Sequence, residues 1–152
     1  MKPVLFLLLF LLLPALAVPG RGARATVRAG ANGDPCFTVD AATERSDGTA
    51  QFRAVSVVDA ATRATMWQMA LPSGRSFALT HTICIPYAGR VAALPQTPAA
   101  ALVAGRVYRV ALEVRNWANV AAPRAYAADF CLAGRAQVVH LVPTGEDCPA
   151  GN

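Results

Sequence analysis

Between Ala25 and Val142 the chain is cut repeatedly by turn-forming residues: Asn32-Gly33-Asp34-Pro35, Ser46-Asp47-Gly48, Pro72-Ser73-Gly74, Ala104-Gly105 and Ala133-Gly134. Glycine supplies the positive φ that tight turns need, proline fixes φ and withholds an N–H, and Asn and Asp bond their own backbone. The segments left over are short apolar or alternating runs, and none sustains the capped 3.6-residue period of a helix. The chain is therefore predicted to be all-β.

Strands are expected at 25–29, 36–41, 51–59, 65–71, 76–80, 82–87, 106–115, 125–132 and 137–142. In 106–115, Tyr108, Val110, Leu112 and Val114 share one face while Arg109, Glu113 and Arg115 share much of the other, the pattern of a sheet with one buried face. Nine such strands predict an immunoglobulin-like antiparallel β-sandwich of about seven to nine strands, with two packed sheets. The segment 89–104, with Pro95, Pro98 and several alanines, is expected to be a long crossover loop with room for a single helical turn.

Ahead of this domain, Lys2 precedes an apolar run from Val4 to Leu13, followed by Pro14 and the small-residue triplet Ala15-Leu16-Ala17. That order reads as an export signal with its cleavage site, and the run falls short of the ~20 residues a membrane helix needs. The expected organisation is a signal peptide at 1–17, a flexible entry at 18–23, a β-sandwich at 24–143 and a tail at 144–152. The expected destination is the periplasm, with no stable membrane anchor. After cleavage, 13 arginines face nine acids, a net charge of +4. The arginines are scattered from Arg21 to Arg135 with no basic run, so nucleic-acid binding is not expected.

Four cysteines remain, Cys36, Cys84, Cys131 and Cys148. An even count in an oxidising compartment reads as two disulfides, with three connectivities possible. Zinc sites usually carry closely spaced ligand pairs, and neither C-x-x-C nor H-x-x-x-H occurs, so no metal or cofactor is expected. Strand parity puts Cys131 in phase with Asp129, Cys36 with Thr38, and Cys84 with Thr82 and opposite Ile83 and Ile85. None of the three should then point into the core. The economical pairing joins Cys36 to Cys84 across neighbouring strand ends and ties Cys148 in the tail to Cys131.

Catalytic patterns are missing from the sequence. The serines lack a G-x-S-x-G elbow and an S-x-x-K pair, and no free thiol is expected. His81 starts a strand and His140 sits in an alternating one, while Glu44, Asp47, Glu146 and Asp147 fall in turn-like or tail segments where solvated charge is the usual explanation. The chain is not expected to be an enzyme. Work by surface recognition remains, using loops on a rigid sandwich. The expected partner-contacting residues are Arg115, Asn116, Trp117 and Asn119, whose composition matches an interface hot spot, with Tyr87 as a further candidate. Trp117 has a second reading, in which it folds back over the sheet edge. Trp67 is expected in the core or on a sheet face.

Taken in order, Cys36-Phe37-Thr38-Val39, Cys84-Ile85-Pro86-Tyr87, the run from Leu102 to Val110 and the run from Tyr126 to Leu132 resemble a family of small periplasmic proteins of proteobacteria, the type VI secretion immunity lipoproteins. The similarity covers roughly 24–132. It implies pairing of Cys36 with Cys84, which agrees with the economical pairing. It also implies a non-catalytic periplasmic binder that occludes a toxin, a type VI secretion effector, with the positive charge favouring an acidic partner surface. The chain departs from the family in lacking a cysteine at the signal to accept lipid. The alternative function is a structural or accessory envelope or adhesion-type module.

Overall fold

The computed structural model describes residues 23–90, 94–134 and 138–149; the expected signal at 1–17 and most of the expected entry at 18–23 lie outside the described residues. The described residues form, in chain order, β1 (Thr26–Ala29), β2 (Pro35–Thr38), α1 (Ala41–Asp47), β3 (Ala50–Asp59), β4 (Thr65–Ala70), β5 (Phe77–Leu79), β6 (Ile85–Pro86), β7 (Val107–Arg115), β8 (Ala125–Ala133) and β9 (Val138–Val142). Strand β7 shows the physical cause: Tyr108, Val110, Leu112 and Val114 are buried, and their neighbours are half-exposed or exposed.

Two antiparallel sheets result, β1-β2-β6 and β4-β3-β7-β8-β9, with β5 pairing the start of β3. Their inner faces meet in one core. Phe37 of the small sheet reaches Phe130 of the large one at 5.5 Å between ring centroids, and Trp67, Phe52, Tyr126 and Tyr108 fill the rest. Strands β1-β2-β6 facing β4-β3-β7-β8 stand in the order A-B-E facing C′-C-F-G of an immunoglobulin sandwich, and β9 is added outside the last. The entry to β1 bridges the layers, because Ala25 N donates to Ala127 O at 3.0 Å and Ala127 N to Ala23 O at 2.9 Å.

The turn into β7 reinforces that assignment. Tyr108 is fully buried, yet its hydroxyl accepts the Val103 N–H at 2.7 Å, five residues upstream. Gly105, with φ of 81°, lets the chain reverse between the two. This is the tyrosine corner of such sandwiches, at the start of the strand where they carry it.

Both cysteine pairs are joined in the economical connectivity, Cys36 to Cys84 with Cα atoms 5.5 Å apart and Cys131 to Cys148 at 5.9 Å. Neither pair belongs to the main core. Parity did place Cys131 and Asp129 on the outer face, but that face is not wet: the tail covers Cys131, Ala133 and Val142 as a second small cluster. Asp129, only 5% exposed, receives both Nε and Nη2 of Arg109, at 2.6 and 2.7 Å.

Two strand expectations need correction. Residues 36–41 are not one strand: β2 ends at Thr38, and Asp40 caps α1, with Oδ1 accepting Thr43 N at 2.6 Å. Of 82–87, only Ile85–Pro86 is strand. Thr80 to Ile83 makes a turn closed by Ile83 N donating to Thr80 O, so Ile83 is exposed instead of sharing the inward face of Ile85. The described part of 89–104 is a loop, as expected, with no helical turn; 95–100 lies alongside β4, with Thr97 N donating to Gln68 O and Ala100 N to Met66 O. One edge of the large sheet is thus covered by a proline-bearing segment, a common guard against edge pairing.

Candidate functional site

The registers bring the end of β4, the end of β7 and the starts of β3 and β8 to one end of the large sheet: Gln51 pairs Arg115, Ala54 pairs Ala70, and Glu113 pairs Ala125. The connections 39–49, 71–76 and 116–124 therefore emerge together. In variable immunoglobulin domains the corresponding three loops bind antigen.

Each connection is held from within. In 116–124, Asn116 Oδ1 accepts the N–H groups of Ala118 and Asn119, at 3.2 and 3.0 Å, while its Nδ2 donates to Asp47 O at the end of α1. Asn119 Oδ1 accepts Ala121 N at 3.1 Å, and Val114 N donates to Arg124 O at 2.9 Å to close the loop base. Gly48 follows α1 with φ of 83°, and a Cβ there would stand 3.1 Å from Asn116 Nδ2, tighter than most real contacts. Tyr126 OH donates to Asp47 Oδ2 at 2.8 Å; burial first, and then that carboxylate, raise the phenol well above its ordinary value.

The connection 71–76 is tied by Arg53, whose Nη1 donates to Arg75 O and whose carbonyl accepts Leu71 N. Helix α1 is fixed by Glu44. One oxygen, Oε2, accepts His81 N and also meets His81 Nδ1, both at 2.8 Å, and Oε1 accepts the Thr49 hydroxyl. The His81 amide, foremost among these, holds the Glu44 carboxyl below the usual range. Glu44 is therefore not simply solvated, as its turn-like segment led one to expect, and its partner His81 lies in the turn after β5 instead of starting a strand. The nearby hydroxyls of Thr80 and Thr82 bond each other at 2.8 Å, and the Glu44–His81 pair joins α1 to the turn after β5.

On this fixed base Trp117 stands 69% exposed, so it does not fold back over the sheet edge, and Val120 beside it is 94% exposed. The Arg115 guanidinium lies 5.6 Å from the Trp117 ring centroid, a cation–π arrangement. A cleft of about 410 Å³ runs between Trp117, Val120, Val114, Ala122, Arg115 and Arg124. Of the residues singled out in sequence, Arg115 and Trp117 present their side chains outward, whereas Asn116 and Asn119 are half-buried and bond the loop itself.

Tyr87 stands apart. Its hydroxyl donates to Ala100 O at 2.7 Å and its ring meets Trp67 edge-on at 5.5 Å, with burial pushing the phenol up to about 12. Trp67 pairs Val57, six residues along β3 from Gln51 beside Arg115, a span of about 20 Å at the usual strand rise. Val120, Arg124 and α1 were not singled out in sequence. Asp40 three residues before Thr43, with Gly48 beyond Arg45, was the available signal for α1.

Comparison with family models, curated proteins and solved structures finds no match to this chain. Among the described residues no helix is long and apolar enough to cross a membrane.

Proposed function

We propose that this chain is an exported, non-catalytic binding protein that recognises a protein partner through the three connections at one end of its sandwich. The observation that carries this reading is Trp117: a large aromatic side chain, exposed, on a loop whose backbone N–H groups are bonded by Asn116 and Asn119 and which Asn116 ties to the end of α1. Rigid, exposed aromatics beside arginine are what interface hot spots are made of, and prior ordering lowers the entropy cost of association. Two disulfides support a working place in an oxidising compartment such as the periplasm.

The particular form we favour is an immunity protein that occludes a toxin, a type VI secretion effector delivered to the periplasm. The test is recovery of a partner from periplasmic extract by the wild type and by Trp117→Ala. Wild type should retain a partner that the variant loses, with the two proteins melting alike because the side chain is exposed. Equal recovery refutes the site. A recovered partner that is toxic alone in the periplasm, and harmless with the chain, assigns immunity; an envelope component that is harmless alone assigns the accessory role instead.

A further inference from the structure

Charge at the loop end is distributed unevenly. The carboxylates on or beside the three connections are engaged internally: Asp40 caps α1, Glu44 holds His81 and Thr49, and Asp47 accepts the hydroxyls of Tyr126 and Ser46. The arginines are not. Arg45 on α1, Arg75 on the second connection, and Arg115 and Arg124 at the two feet of the third are all exposed, and none makes an ion pair among the described residues. Every connection thus carries at least one outward guanidinium outside any ion pair, although Arg45 stands close enough to Asp40 to help lower that carboxyl. Two of them, Arg115 and Arg124, line the same cleft as Trp117 and Val120, where Glu113 on the outer sheet face is the one lining carboxylate.

Guanidinium is the cation best suited to carboxylate, because its planar fork offers two parallel N–H groups and its weaker hydration lowers the desolvation cost. Stacking over Trp117 restricts the orientation of Arg115 before any partner arrives. The arrangement is an apolar centre rimmed by positive groups, and its complement has the opposite rim.

Resting on the reading above, we propose that the loop end takes a protein surface of one kind: an acidic segment with an apolar side chain at its middle, which enters between Trp117 and Val120 while flanking carboxylates meet Arg115 and Arg124. Net charge alone implied only an acidic partner. The structure assigns where the acids land and requires an apolar group between them. Partners of the opposite pattern, basic with a polar centre, are rejected by the same rim.

The test uses the oxidised, exported protein and a phage-displayed library of random cyclic peptides as probe. Enriched peptides should carry Asp or Glu on both sides of an aliphatic or aromatic residue. The best of them, synthesised, should bind about tenfold more weakly to Arg115→Gln and to Arg124→Gln, and more weakly still to Trp117→Ala. Its affinity should also fall about tenfold between roughly 50 and 500 mM salt, since rim charges are screened. A pool without acidic enrichment that still loses binding in Trp117→Ala overturns the partner chemistry and leaves recognition at the loop end standing. A pool indifferent to all three substitutions overturns both, and a selection that enriches nothing overturns the proposal. Tighter, arginine-dependent binding of oligothymidylate or heparin than of any selected peptide overturns it in favour of a polyanion.

Discussion

The two disulfides close loops of different length, and that difference sets an order of stability that can be measured. Cys36 and Cys84 are 48 residues apart in sequence, Cys131 and Cys148 only 17. In the chain-entropy treatment these closures restrict the unfolded chain by about 4 and about 3 kcal/mol. Domain stabilities run to roughly 5–15 kcal/mol, so each bond is a large share. Cys131→Ala/Cys148→Ala should therefore lower the urea midpoint by about 1.5 M, and Cys36→Ala/Cys84→Ala by about 2 M, for a slope near 2 kcal/mol/M. The shorter closure also encloses β9, whose main hold otherwise is its pairing with β8. Without the bond, amides of Val138–Val142 should exchange by local opening well before those of β7, whereas loss of Cys36–Cys84 should leave β9 protected. A midpoint within about 0.3 M of wild type for Cys131→Ala/Cys148→Ala, with β9 exchange unchanged, would show that the covalent tie is not what secures the tail.

Tyr108→Phe keeps the buried ring but removes the hydroxyl that accepts the part-buried Val103 N–H; thermal unfolding should register a loss of about 1 kcal/mol, the usual net worth of such a bond, and a loss below about 0.3 would remove the tyrosine corner from the account. Arg109→Met leaves Asp129 buried without its bidentate partner and should cost about 2 kcal/mol, reduced by the one-third exposure of Arg109. Arg109→Met/Asp129→Leu should recover most of that in the same denaturation assay. Acid sensitivity follows from three carboxylates held below their ordinary values: Asp40, chiefly by the Thr43 amide, Glu44 by the His81 amide and Asp59 by the Thr62 amide. Depressed folded-state values mean stability that is complete above the unfolded values, 3.8 and 4.5, and lost as pH falls through the folded ones. The urea midpoint should be level near neutrality and drop below about pH 4.5, with a shallower drop in Glu44→Gln; a drop as steep in that variant excludes Glu44 as a contributor.

The strands were legible because their signal is local. Parity along β7 and β8 needs no knowledge of the partner strand, and the turn residues between them act on their own backbone. Helix α1 had no such signal: its seven residues bury no side chain, so no 3.6-residue apolar period exists to be read. It stands on its cap, Asp40, and on bonds to His81, Asn116 and Tyr126, which lie from 37 to 79 residues away from their acceptors. Parity likewise gave the face on which Cys131 lies but not its cover, since the covering tail comes from beyond the next strand.

At the candidate site composition was legible and division of labour was not. Arg115-Asn116-Trp117-Ala118-Asn119 reads as a contact loop from residue types alone, yet an asparagine satisfies its amide equally well on a partner or on the loop that carries it. Only the path of the backbone decides, and here Asn116 and Asn119 turn inward to accept N–H groups of their own segment. That leaves Trp117 and the arginines, which have no local backbone acceptor of this kind, to face outward. A loop built this way keeps shape and contact on separate residues, so the outward positions are free to change with the partner while the asparagines, Gly48 and Tyr126 preserve the frame.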